Sequence, residues 1–169
     1  YTSEVHKGPF AFRVLKDSKL VKSKSLEGGL TMDFYKSGKI REIISVSPLS
    51  KYDDIKKQNV LYNYLVGFIG SHNLSQGKPA QYATVWNDTL PGAYFEIKGD
   101  KYSLFVMTVY DDTHRYTYYM SKPHDVHVSN YKLRDIVQYV TYKNTKDGYK
   151  KTKLGLGMPS RAFSNNRVH

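Results

Sequence analysis

Histidine and aspartate crowd one short stretch of the chain: Asp111, Asp112 and His114, then His124, Asp125 and His127. Imidazole and carboxylate are ligands for zinc and other divalent ions. His114, His124, His127 and Asp125 are therefore the candidate set of a metal-assisted hydrolase. Spacing weighs against it. On a strand, His124 and His127 point to opposite faces, because three is odd, and only a turn folds them together. Asp111-Asp112-Thr113-His114 is also an ordinary hairpin turn in which Asp accepts bonds from its own backbone. No G-x-S-x-G elbow is present, and a Ser/His/Asp triad is a matter of geometry that counting residues does not establish. Gly155-Leu156-Gly157 lacks both the strand-to-helix context and the Gly-Lys-Ser/Thr ending of a phosphate loop. The residues name no reaction, so the expectation is a non-enzymatic binding module without a cofactor.

Charge is the second chemical signal, and it is segregated. Residues 1–41 carry nine Lys/Arg against four Asp/Glu, residues 143–169 carry seven against one, and the 101 between them carry ten of each. The formal net charge of +11 is thus +5 at the front, +6 at the back and zero in the body. Segregated charge builds a positive face if the fold brings the ends together. Lysine outnumbers arginine twenty to six. Ammonium groups on flexible stems favour diffuse attraction to a polyanion over bidentate reading of guanine. With no helix-turn-helix, zinc finger or RNP motif, sequence-specific DNA binding is not expected.

The expected partner is an anionic membrane surface, with phosphoinositide headgroups as its specific version. Lys143, Lys146, Lys150, Lys151, Lys153, Arg161 and Arg167 supply the attraction, and Tyr142, Tyr149 and Phe163 seat at the interface. Non-specific nucleic-acid or polyanion binding by the same lysines is the alternative. Among the sixteen tyrosines, alternation sends Tyr116 and Tyr118 to one face and Tyr119 to the other.

The elements that must position these groups follow from periodicity. Phe10, Phe12 and Val14 alternate after Gly8-Pro9 and read as a strand. Lys19–Ser25 is a poorer, Lys-rich strand suited to a sheet edge. Leu30, Met32 and Phe34 lead through Lys36-Ser37-Gly38-Lys39 into Ile40, Glu42, Ile44 and Val46, the pattern of a hairpin. Ser50, Asp53 and Asp54 open a first helix, whose stripe is Ile55, Leu61, Tyr62, Leu65, Phe68 and Ile69. Strands are predicted at 82–86, 93–98, 102–110 and 115–121, the 102–110 strand being apolar on both faces and so central. Ser129 or Asn130 caps a second helix carrying Leu133, Ile136, Val137 and Val140.

The fold class expected is α+β, a mainly antiparallel sheet covered by two amphipathic helices. Residues 1–142 form one domain, and 143–169 form a basic tail packed on it or mobile. The order from Phe10-Ala-Phe-Arg-Val, through the helix opened by Ser50-Lys-Tyr-Asp, to the closing helix near Leu133 resembles the PsbP-like sandwich of photosystem II extrinsic proteins. That family includes many proteins with binding or assembly roles, and the resemblance implies no functional residue.

Composition bounds the rest. The longest apolar stretch, Leu61–Ile69, is far short of the roughly 20 residues a spanning helix needs, so no transmembrane segment is expected. Cysteine is absent, which excludes thiolate chemistry and suits an exported bacterial protein such as an effector. A start at Tyr1-Thr2-Ser3-Glu4 fits a mature end left by signal removal as well as an arbitrary boundary; of the two the first is preferred, so a secreted or periplasmic location is expected.

Overall fold

The computed structural model describes residues 2–49, 82–85, 92–99, 101–137, 139–144 and 148–153. Among the described residues, eleven strands form two antiparallel sheets. The large sheet takes β3 (Lys19–Ser25), β4 (Thr31–Ser37), β5 (Ile40–Pro48), β9 (His114–Pro123), β8 (Tyr102–Tyr110), β7 (Gly92–Lys98) and β6 (Tyr82–Val85), in that spatial order. The small sheet runs β1 (Thr2–Lys7), β2 (Phe10–Leu15), β10 (Tyr139–Asn144) and β11 (Gly148–Lys153). Its β2 strand presents Phe10, Phe12 and Val14 to Ile40 and Ile44 of β5, Phe105, Met107 and Val109 of β8, and Tyr116, Tyr118 and Met120 of β9, in one core cluster. Phe10 meets Tyr116 edge-on, ring centroids 4.9 Å apart.

The expectation of a sheet covered by two amphipathic helices is overturned. The protein is strand-dominated, and a second sheet takes the covering role on the inner face of the first. Among the described residues there is one α-helix, α1 (Asn130–Val137). Its start is as expected, with Lys132 N donating to Ser129 Oγ at 3.3 Å, and Ile136 and Val137 are buried in the core. Its end is not. Val140, fourth in the helical stripe, lies in β10, paired opposite Thr152. The run Tyr139-Val-Thr-Tyr is β-branched and aromatic, and as a strand it gains ladder bonds from both β2 and β11. A longer helix would forfeit those partners. The first helix, expected from Ser50 to about Gly70, lies outside the described residues.

Register divides the large sheet into two faces, since side chains on one rung share a side. One rung reads Ser23, Asp33, Ile44, Tyr118, Met107, and it faces the small sheet. The next reads Lys22, Phe34, Ile43, Tyr119, Val106 and faces away. Strand β8 is buried on both faces from Ser103 to Tyr110, as its doubly apolar sequence requires. Between β1 and β2, Gly8 adopts φ +54° with Tyr116 directly beneath it. A Cβ there would run into the phenol as well as strain the backbone.

Candidate functional site

The histidine–aspartate set does not converge. His114 opens β9 and His124 follows its far end, so ten strand residues, about 30 Å, separate them. Asp111 is fully engaged in its own turn. Its Oδ1 accepts from Thr113 N (2.8 Å), His114 N (2.7 Å) and Thr113 Oγ1 (3.0 Å), and its Oδ2 accepts from Tyr116 OH (2.6 Å). Burial raises the Asp111 carboxyl, but these donors outweigh it and hold the group below the ordinary aspartate value. At the other end, His124 Nε2 lies 3.4 Å from Ser103 Oγ, Asp125 pairs with Lys39 (3.6 Å), and His127 is exposed. Among the described residues no group of three or more His, Asp or Glu could hold a metal ion.

The basic residues named from the tail fall in three groups. Lys143 is exposed at the end of β10, its N–H bonded to Pro9 O at 2.7 Å. Tyr142 is half-buried against the core rather than at the surface. Tyr149, Lys150, Lys151 and Lys153 belong to β11, where the register sets them opposite Lys143, Tyr142, Thr141 and Tyr139. Lys146, Arg161, Phe163 and Arg167 lie outside the described residues.

The cluster that sequence reasoning missed is on β3, β4 and β5. Three consecutive rungs of the outward face begin Lys19–Lys36–Arg41, Lys22–Phe34–Ile43 and Lys24–Met32–Ser45. All five cations are exposed. Among the described residues none is paired with a carboxylate, and the acids of these strands, Asp33 and Glu42, occupy the inner face. Lys22 Nζ and Lys24 Nζ stand 5.6 and 5.8 Å from the Phe34 ring centroid, a cation–π arrangement. Contact with Lys24, followed by its charge, lowers the pKa of Lys22. Two ammonium groups share one aromatic ring with no anion between them. The signal was present in the sequence as parity: Lys22 and Lys24 are two apart, and Lys36 and Arg41 flank the hairpin turn symmetrically.

Among the described residues, the two basic blocks lie on strands of different sheets. Rungs bearing Lys19, Lys22 and Lys24 face away from the small sheet, whereas β11 is an edge of that sheet, with β2 and β10 between it and β1. Strand β1 lies over β4, its Lys7 Nζ 2.5 Å from Asp33, which puts β11 toward the opposite end of the sandwich.

No protein-family model matches the chain, and no curated protein or solved structure is significantly similar to it. The resemblance to the PsbP-like sandwich therefore stands on sequence pattern alone. Among the described residues, no helix is long and apolar enough to cross a membrane.

Proposed function

We propose that this protein is a non-enzymatic module that docks on anionic phospholipid surfaces through the outward face of β3, β4 and β5. The observation that carries the reading is three adjacent rungs holding five exposed cations and no carboxylate. Each Lys or Arg near an anionic membrane contributes about 1 kcal/mol, and salt screens it. Carboxylates set among these lysines would cancel much of that attraction; the acids of the three strands lie on the inner face, and the exposed Asp17 and Glu27 flank β3 outside the rungs.

Co-sedimentation with phosphatidylserine-containing and purely zwitterionic vesicles across a salt series tests the reading. Binding is expected to the anionic vesicles only and to fall steeply with salt. K22E/K24E should weaken it on the order of a hundredfold, since two attractions become repulsions, and K150E/K151E weighs the β11 block. Equal binding to both vesicle types, or no effect of salt, would remove the proposal. Displacement of bound protein by single-stranded nucleic acid with no lipid preference would favour the polyanion reading instead.

A further inference from the structure

The edge of the large sheet carries a second feature beside its lysines. Every residue of β3 is exposed, and the exposed set includes aliphatic side chains: Leu20 at 55%, Val21 at 65% and, just past the strand, Leu26 at 47%. Such side chains on a free strand edge are an aggregation liability unless something manages them. The ladder to β4 is interrupted between Leu20 and Lys22, so Val21 is an extra residue in a bulge. A bulge breaks the regular row of backbone donors and acceptors that an added strand would need. That argues against both a peptide strand and a second copy pairing edge to edge.

We infer that β3 is a lipid-inserting edge that meets an anionic bilayer edge-on, so that Leu20 on its inward side, Val21 in the bulge and Leu26 beyond it enter the headgroup–acyl boundary while Lys19, Lys22 and Lys24 on its outward side engage the phosphates. The inference rests on the anionic-docking reading and deepens it, because it names the bilayer rather than any polyanion. Charge complementarity selects the occupant. Three lysines on the same strand demand a negative partner, and the three aliphatics between and beyond them demand an apolar one. An anionic membrane interface offers both, in adjacent layers. Single-stranded nucleic acid offers phosphates but is gripped by aromatic stacking, which leucine and valine do not supply. Lysine stems lie along apolar surface while their ammonium groups stay at headgroup level, so the two sets of side chains do not compete for one layer.

The cysteine-free chain permits a direct test. V21C and, as a control on the exposed first residue of α1, N130C are each labelled with an environment-sensitive fluorophore and mixed with phosphatidylserine-containing vesicles. The label at position 21 should shift to the blue and be quenched by lipids brominated at shallow acyl positions; the label at 130 should stay aqueous. L20S/V21S/L26S should bind these vesicles at least about tenfold more weakly than wild type, yet bind soluble inorganic polyphosphate as well as wild type does. If vesicles bind but position 21 remains in water and the triple variant binds normally, insertion is overturned and electrostatic docking stands. If neither wild type nor variant binds anionic vesicles, the docking reading falls and insertion falls with it.

Discussion

Glu42 is an acid in an apolar register: it follows Ile40 and precedes Ile44 and Val46 in the inward set of β5. It is fully buried, yet its carboxylate is satisfied by Ser18 Oγ at 2.5 Å, Leu15 N at 3.2 Å and the Tyr118 hydroxyl. Burial raises its pKa, and these three donors recover only part of the shift. An acid whose folded value is raised contributes stability that is complete below its ordinary value of 4.5 and lost as pH rises through the folded value. Glu42→Gln keeps the shape and removes the titration. The urea midpoint of wild type should therefore decline with pH above 4.5, and that decline should flatten in the variant. An unchanged slope would place the titrating group elsewhere. Asp111 runs the other way, because its lowered carboxyl contributes stability that is lost as pH falls below 3.8. At this scale the sequence was half legible. Alternation put Tyr116 and Tyr118 on one face and Tyr119 on the other, as found. The carboxylate that the Tyr118 hydroxyl reaches, Glu42, was not, because the two are 76 residues apart.

Strands with a buried face were readable and strands without one were not. β2, β5 and β8 announce themselves because burial selects apolar residues at every second position. β1 and β11 escaped notice, and both are edges of the small sheet. A half-solvated edge is free to be Thr-Ser-Glu-Val-His-Lys or Gly-Tyr-Lys-Lys-Thr-Lys, which no hydrophobic pattern distinguishes from loop. β3 was recognised as an edge through its lysines, and it is one. Hydrogen exchange should reproduce this hierarchy. The amides of β8 and β9, flanked by strands on both sides, should exchange at the slowest, global rate. Outward amides of β3 should exchange orders of magnitude faster. Comparable protection in β3 and β8 would mean that the edge is covered in solution. The same experiment on membrane-bound protein should slow β3 selectively.

The two sheets are joined through one set of aromatic and aliphatic contacts, and Phe12, 1% exposed, stands on the inward face of β2 within it. Phe12→Ala should cost about 3–5 kcal/mol, lowering the urea midpoint in a single transition that near- and far-ultraviolet circular dichroism follow together. Separate transitions would show the small sheet to be an independent unit. The sequence by itself determined the phase of each buried strand, the start of α1, the lysine-rich edge and the segregation of charge, because all of these depend on residue type and near neighbours. Only tertiary structure decided that a second sheet stands where a helix was expected. Ala11 pairs with Thr141, and a contact 130 positions apart leaves no local periodicity to read. The destination of the charge was decided in the same way. Rung parity across β3, β4 and β5 gathers five cations on one face and sends the acids of those strands to the other, whereas the lysines of β11 join a different sheet altogether.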